Sequence, residues 1–137
     1  MTEEKDFIFK NLFFKINFKH NYLEVLIDDI NFSDQERYIA SVSVMLEYAL
    51  SVRPNFIILN KFNSQFKISP VLYSFTSKNI LDPLKSSGVR KIICLASEEE
   101  YQNHYKDVEV MEPFIKGMTS KAEAIKWIGE NRPQNSE

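Results

Sequence analysis

The stretch NFIILNKFNSQFKISP, Asn55 to Pro70, decides the fold class of this chain. It opens on a strand, Phe56 to Leu59, in which every side chain is apolar, continues as a polar loop with two aromatic residues, and ends in a Ser-Pro helix start. Strands that are apolar on both faces belong to parallel sheets covered by helices, and ligands and partners bind at the loops that follow such strands. The stretch therefore predicts an α/β fold whose working face lies beside this loop.

A β-hairpin is predicted ahead of this strand. From Leu12 to Lys19 apolar side chains recur at every second position, with Phe18 as the last of the stripe, which indicates a strand with one buried face. Tyr22 to Asp28 repeats the same period. The short link His20-Asn21 suits a tight turn, because asparagine tolerates a positive φ.

Helices and further strands alternate along the rest of the chain. Ser33 with Glu36, and Ser120 with Glu123, have the spacing of a capping box at a helix start. The helix that follows Ser69 is expected to break or kink at Asp82-Pro83, because proline removes a backbone hydrogen bond. Two more strands are predicted, at Lys91 to Ser97 and at Val108 to Met111.

The predicted order is β-β-α-β-α-β-α-β-α. It describes a single-domain α/β fold, a mixed sheet with an N-terminal hairpin and right-handed β-α crossovers. We assign residues 12–131 to this domain, residues 1–11 to an N-terminal extension or edge strand, and residues 132–137 to a disordered tail. The apolar strands also predict that Phe56, Ile58, Ile92 and Cys94 lie buried together in the centre of the sheet.

Composition and charge limit the expected partners and compartment. The 137 residues carry 17 basic and 19 acidic side chains, a net charge of -2 with no broad basic field, so nucleic acid is not an expected partner. No apolar run approaches the roughly 20 residues that span a bilayer, and no secretory signal is recognisable, so we expect a cytoplasmic protein without a membrane span. The one cysteine, Cys94, is expected to be a small buried core residue.

Catalytic, metal and cofactor sites have little support in the sequence. The two histidines, His20 and His104, lie far apart in the predicted fold, and His104 with Asp107 gives two potential metal ligands without a third. Asp28-Asp29 follows a strand, where an acidic pair is typical of a solvated turn. No two of the three glycines have the spacing of a nucleotide-binding loop. We therefore expect no catalytic residue, no metal site and no cofactor.

The loop that follows Leu59 carries the candidate binding residues. Phe62 and Phe66 stand four positions apart among polar residues, a spacing at which one helical turn presents both rings on one side. The two rings either pack back onto the core or form an aromatic contact patch for a partner. In the second case the binding residues are Asn60, Lys61, Phe62, Phe66 and Ser69.

The chain resembles the STAS domains, specifically the SpoIIAA-like group of small bacterial proteins related to anti-sigma-factor antagonists. The resemblance covers roughly Phe14 to Asn131. It rests on the hairpin opening NFKHNYLEVLIDD, the helix after Ser33, the strand FIILN, the Pro-interrupted helix followed by SSGVRKIICLAS, and the last strand and helix.

The resemblance implies a non-enzymatic regulatory domain that acts through protein contacts, with a protein partner or a homodimer as the expected state. The related fold of lipid-carrying CRAL-TRIO domains supports an alternative, a binder of a small apolar or lipid-like ligand. An uncharacterised enzyme is a third alternative. Fold analogy changes the weight of these functions without identifying one.

At Ser69 the resemblance and the residue pattern differ. Regulatory members of the family carry an Asp-Ser-Ser-Gly or similar motif at the start of the second helix, and a partner kinase phosphorylates the serine. The matching stretch here is Ile68-Ser69-Pro70-Val71, which lacks the acidic residue and the glycine. A serine followed by proline is typical of a helix N-cap, so the sequence predicts that Ser69 is a structural cap and not a phosphorylation site.

Overall fold

The fold is a five-stranded mixed sheet with helices on both faces. The structure is a computed structural model and describes residues 12–27, 35–61 and 76–131. Its strands are β1 (Leu12–Asn17), β2 (Tyr22–Ile27), β3 (Phe56–Lys61), β4 (Lys91–Leu95) and β5 (Ile115–Met118). They lie side by side in chain order, β1 antiparallel to β2 and the other neighbours parallel. The predicted α/β class and mixed sheet with an N-terminal hairpin are confirmed.

The hairpin of β1 and β2 closes through a turn from Phe18 to Asn21. Asn17 accepts the backbone N–H of His20 through Oδ1 at 2.9 Å, and Asn21 adopts a positive φ of 54°. The turn is longer than the predicted His20-Asn21 link, and this corrects the position of Phe18. Phe18 lies in the turn with 85% of its surface exposed, whereas Phe14 of the same predicted stripe does pack against the core.

Helices connect the parallel strands. α1 (Gln35–Val52) precedes β3, and a π-helical turn (Ser77–Leu81) leads into α2 (Asp82–Ser87) before β4. Between β4 and β5 lie α3 (Glu98–Glu100), a second π-helical segment (Tyr101–Tyr105) and α4 (Lys106–Met111), and α5 (Lys121–Asn131) follows β5. None of these described helices combines the length and the apolar character needed to cross a membrane. The predicted capping box at Ser33 lies outside the described residues.

The predicted break at Asp82-Pro83 takes the form of a widened helical turn. Asp82 donates its backbone N–H to the carbonyl of Ser77, five residues back instead of four. Pro83 then falls in the first turn of α2, where a missing N–H leaves no helical bond unmade. The chain thus accommodates the proline by inserting a π-type turn just before it. Gly88 ends α2 in the left-handed conformation, with φ 110°.

The last strand lies later in the chain than predicted. Val108 to Met111, predicted as a strand, is helical in α4, and the strand is β5. The capping box at Ser97 explains the difference: its hydroxyl accepts the N–H of Glu100, whose carboxylate accepts the N–H of Ser97. A helical stretch begins there and runs on to Met111. A short apolar run cannot be distinguished from a helical segment by periodicity alone.

The sheet has a separate apolar cluster on each face. The crossover face is the one covered by α1, by the helical stretch from Ser77 to Ser87 and by the segment before α4; the α5 face is the one covered by α5. Phe56 and Ile58 lie on the α5 face, whereas Ile92 and Cys94 lie on the crossover face. The prediction that all four are buried is confirmed. The expectation that they lie together is wrong, because successive side chains of a strand point to opposite faces and Ile92 pairs with Ile57, the residue between Phe56 and Ile58.

Gly117 allows the helical segment before α4 to approach β5 closely. A Cβ atom on Gly117 would lie 2.6 Å from Cβ of Tyr105 and 3.0 Å from Cδ1 of Tyr101. The Tyr105 atom is the root of a side chain and cannot swing away. The backbone N–H of Gly117 donates to Oε2 of Glu109 at 2.6 Å, so α4 satisfies a backbone group on the outer side of β5.

Truncation of Ile58 or Ile92 to alanine should cost about 2–5 kcal/mol of unfolding free energy, because each change leaves a cavity in a packed cluster. Val110→Ala serves as the control, since Val110 is 80% exposed and should change stability by less than about 0.5 kcal/mol. Urea denaturation measures all three. A negligible loss for either isoleucine would contradict the two-cluster core.

Gly117→Ala should destabilise the fold by about 1–3 kcal/mol, because the new methyl group overlaps Tyr105. Gly129→Ala is the matched control: it lies within α5, and among the residues that the structure describes its Cβ would meet only Cε1 of His20, at 3.9 Å, an ordinary contact. Removing a helix glycine should stabilise the protein by roughly 0.5–1 kcal/mol. Thermal or urea unfolding that gives both variants the same sign would contradict the close approach at β5.

Candidate functional site

The carboxyl ends of the four parallel strands meet at one edge of the sheet. Their side chains on the α5 face form a row in register, in which each member is half-buried. We call this the carboxyl-edge row; its members are Leu26, Asn60, Leu95 and Met118. Three of the four are apolar, and Asn60 is the polar member near the middle of the row.

Asn60 is anchored to a buried carboxylate. Its Nδ2 donates to Oε2 of Glu24 at 2.9 Å. Glu24 lies two residues before Leu26 on the same face of β2, and only 2% of its surface is exposed. The other carboxylate oxygen, Oε1, is 2.8 Å from Nζ of Lys121 in the first turn of α5. Both oxygens of Glu24 are therefore bonded within the fold.

The charge on Glu24 is held by its neighbours. Burial alone would raise the pKa of this carboxyl, but the hydrogen bonds from Lys121 and Asn60, with the positive charges of Lys121 and Lys15, outweigh burial and set the pKa below its ordinary value. Lys15 stands directly opposite Glu24 on β1. Glu24 is thus ionised at neutral pH, and its role is to join β2, β3 and α5.

The predicted binding residues are placed as follows. Asn60 lies at the carboxyl edge as expected, with its amide engaged by Glu24. Lys61 is the last residue of β3, so its backbone also lies at this edge. Phe62, Phe66 and Ser69 lie outside the described residues, and the two readings of the ring pair and the predicted cap at Ser69 stay predictions.

Two residues of the site, Glu24 and Lys121, are absent from the sequence-based candidates. Glu24 alternates with the apolar residues Leu23 and Val25, a pattern typical of a strand with one wet face. In the fold β2 is a central strand, and the α5 face above Glu24 is covered. The signal that pointed to this burial is Tyr22, a large aromatic on the same face as Glu24.

Cys94 and two tyrosines are packed into the core. Cys94 is buried on the crossover face, as predicted. Burial, with further contributions from Cys94 and Glu100, raises the pKa of Tyr105 far above its ordinary value. The hydroxyl groups of Tyr38 and Thr76 are 2.6 Å apart, and burial raises the pKa of Tyr38. These tyrosines are neutral structural groups.

The two histidines lie in different elements of the fold. His20 lies in the turn between β1 and β2, and His104 lies in the π-helical segment that precedes α4. Among the residues that the structure describes, no three or more His, Cys, Asp or Glu side chains are grouped closely enough to hold a metal ion. At the carboxyl edge the polar side chains of Asn60, Glu24 and Lys121 are each bonded to another of the three.

Comparison with protein-family models, with curated proteins and with solved structures finds no match for this chain. The STAS resemblance therefore rests on the residues that carry it. The function has to be argued from the geometry of the carboxyl edge.

Glu24→Gln should lower the free energy of unfolding at pH 7 by about 1–3 kcal/mol, because it removes charge-assisted bonds to Lys121 and Asn60. Because the pKa of Glu24 is lowered in the folded state, its charge gives its full stabilisation above the ordinary value of 4.5. This stabilisation is lost as the pH falls through the lowered pKa of the folded state. The difference between wild type and variant should therefore narrow as the pH falls from 5 towards 3, which urea titrations at a series of pH values measure.

Lys121→Met should lower the free energy of unfolding at pH 7 at least as much, because it leaves the buried charge of Glu24 without its closest cation. Lys126→Met is its matched control, an exposed lysine on the same helix. The control should change stability by less than about 0.5 kcal/mol. If the difference in the free energy of unfolding between wild type and Glu24→Gln stays constant from pH 7 to pH 3, the Glu24 charge does not stabilise the fold.

Proposed function

We propose that this chain is a non-enzymatic, STAS-like protein-interaction domain of the regulatory kind, acting in the cytoplasm. It binds a protein partner at the carboxyl edge of the sheet, through the carboxyl-edge row and the predicted loop that follows Lys61 in the sequence. The observation that carries the proposal is the row itself, three half-buried apolar side chains around one fixed amide.

The chemistry of the edge supports binding over catalysis. A catalytic carboxylate needs an oxygen directed at substrate, within hydrogen-bonding reach of the proton that it transfers. Both oxygens of Glu24 are instead bonded to Lys121 and Asn60, and the lowered pKa keeps the group ionised. The Ser97 hydroxyl, at the end of β4, accepts the N–H of Glu100 as a helix cap. These groups serve the fold.

The composition of the row supports a protein partner. Interfaces combine an apolar centre with polar groups that fix orientation, and Leu26, Leu95 and Met118 supply the first while Asn60 supplies the second. Met118 adds a flexible thioether that adapts to the shape of a partner. Lys121 is 42% exposed at its side chain beside the row, so it can pair with an acidic group of the partner at the rim.

The test measures partner affinity with a pair of matched variants. A protein captured from the source cells on the immobilised wild-type chain is purified and titrated calorimetrically against each variant. Leu95→Thr/Met118→Thr keeps strand propensity while it removes apolar surface from the row. The control Val110→Thr/Met111→Thr removes apolar surface that is 80% and 73% exposed at the end of α4.

We expect the row variant to bind at least tenfold more weakly and the control to bind like wild type, because a few apolar anchors carry most of the energy of an interface. Thermal unfolding of both variants separates lost binding from lost folding. Phe62→Ser/Phe66→Ser should weaken binding in the same way if the rings belong to the contact patch, and should lower stability alone if they belong to the core.

Equal affinity for the row variant and wild type would contradict the proposal. Native mass spectrometry of the chain from its source cells tests the runner-up function in parallel. A co-purifying apolar or lipid-like molecule, lost from the row variant, would assign the edge to a small ligand and not to a protein.

A further inference from the structure

The two edge strands of the sheet, β5 and β1, differ in what covers their outer backbone groups. On the outer side of β5 the carboxylate of Glu109 accepts the N–H of Gly117, and Tyr105 packs directly against that glycine. β1 forms the opposite edge, and within residues 12–27, 35–61 and 76–131 the one strand beside it is β2. β1 pairs with β2 in unbroken register and contains neither glycine nor proline. Such a regular edge strand is a template for another strand.

The hydrogen bonds of β2 determine which backbone groups of β1 face outwards. Phe56 donates its N–H to the carbonyl of Asn21, so residues 21, 23 and 25 direct their backbone groups to β3, and residues 22, 24 and 26 direct theirs to β1. The partners of the latter set, residues 17, 15 and 13, therefore face β2. The outward N–H and C=O groups of the edge belong to Leu12, Phe14 and Ile16.

Apolar side chains lie on both faces of this edge. On the α5 face Phe13 is 52% exposed, and Lys15 stands exposed two residues along the same strand. On the crossover face the half-buried ring of Phe14 stacks on Tyr48 of α1, with ring centroids 4.4 Å apart. The edge strand β1 thus carries aromatic side chains on both faces and one positive charge. A partner strand in which aromatic and charged side chains alternate in the same way is complementary to it.

We propose that β1 pairs with β1 of a second copy of this chain, antiparallel about a two-fold axis between Phe14 and Phe14 of the second copy. In this register all three outward-facing residues are bonded, because Leu12 lies opposite Ile16 of the second copy. Phe13 lies opposite Lys15 of the second copy in a close pair, with Cα atoms about 4.5 Å apart, a distance at which an ammonium group reaches an aromatic ring.

The charge on Lys15 selects this register over its neighbours. An axis at Lys15 would place the two Lys15 side chains opposite each other, and like charges across a strand pair are destabilising. An axis at Phe13 would place Lys15 opposite Asn11 and remove the contact with the ring. The Phe14-centred pairing places the ammonium group of each Lys15 against the ring of Phe13 in the other copy, so each ring becomes less exposed. This association does not depend on the proposed function, because β1 contributes no residue to the carboxyl-edge row.

Disulfide trapping of the full chain tests the pairing and its register. Phe13→Cys and Lys15→Cys proteins are oxidised separately and as a mixture, and Val110→Cys is the control for random collisions of an exposed thiol. Cys94 is buried and common to all samples. Close pairs of an antiparallel ladder have the Cα separation that a disulfide needs. We expect a cross-linked dimer in the mixture, and none from either variant alone beyond the control.

Each other trapping result overturns the proposal. A dimer from Phe13→Cys alone or from Lys15→Cys alone would place the axis elsewhere, and no dimer in the mixture would show that the two copies do not pair through β1. A wild-type chain that stays monomeric until residues 1–11 are removed would assign the edge to that segment of the same chain.

Sedimentation equilibrium provides the second arm, with a charge exchange across the proposed pair. Phe13→Lys sets two ammonium groups opposite each other at two places in the dimer and should weaken association about tenfold or more. The exchange Phe13→Lys/Lys15→Phe restores one ring and one charge to each pair and should recover the wild-type association constant. Thermal unfolding confirms that every variant is folded. The register would be overturned if Phe13→Lys associates like wild type, or if Phe13→Lys/Lys15→Phe recovers none of the lost association constant.

Discussion

The buried charge of Glu24 is the constraint on which the α5 face of the sheet depends. A carboxylate in a covered position is tolerated only when its charge is paired and its oxygens are bonded. Lys121 must therefore reach it from the first turn of α5, and Asn60 must reach it from β3. The apolar contacts of Ile128 bury the helix, and the ion pair at 2.8 Å requires its first turn to stay within reach of Glu24. We interpret the Glu24 cluster as the feature that sets the position of α5.

The same cluster shapes the carboxyl edge. By engaging Asn60, Glu24 holds the one polar member of the row in a fixed orientation while Leu26, Leu95 and Met118 present apolar surface around it. An edge built in this way has a defined shape, because Asn60 and Glu24 are bonded to each other within the fold. On the outer side of β5, Glu109 accepts the N–H of Gly117 and Tyr105 packs against that glycine. The two edge strands, β1 and β5, therefore differ in how their outer backbone groups are engaged within the described residues.

The fold could be predicted from the sequence where local signals determine the structure. The buried strand at Phe56 and the positive φ at Asn21 are set by neighbouring residues, and each is found where it was predicted. The misplaced last strand at Val108 shows the limit, because a short apolar run has no period that separates strand from helix.

The candidate site was less predictable because it depends on distant residues. Asn60 is identifiable from its place at the end of a buried strand. Glu24 looks like a solvent-facing residue until α5, which begins almost a hundred positions later in the sequence, lies over it. Lys121 is one of many lysines, and no local pattern distinguishes it. The pairing of a strand residue with a helix residue so far away is a property of the tertiary fold alone.

The order of the strands has a consequence for how the chain acquires its structure during synthesis. Each strand pairs with the one made just before it, so the sheet can grow outward from the hairpin without inserting a strand between two that have already joined. The crossover helices are made between the strands and can cover their face as translation proceeds. The opposite face has to wait for α5, so Phe56, Ile58 and Ile93 face water, and Glu24 lacks its ion pair with Lys121, until the residues of α5 have left the ribosome. A stall in translation before that point would leave an apolar surface open to chaperones or to aggregation.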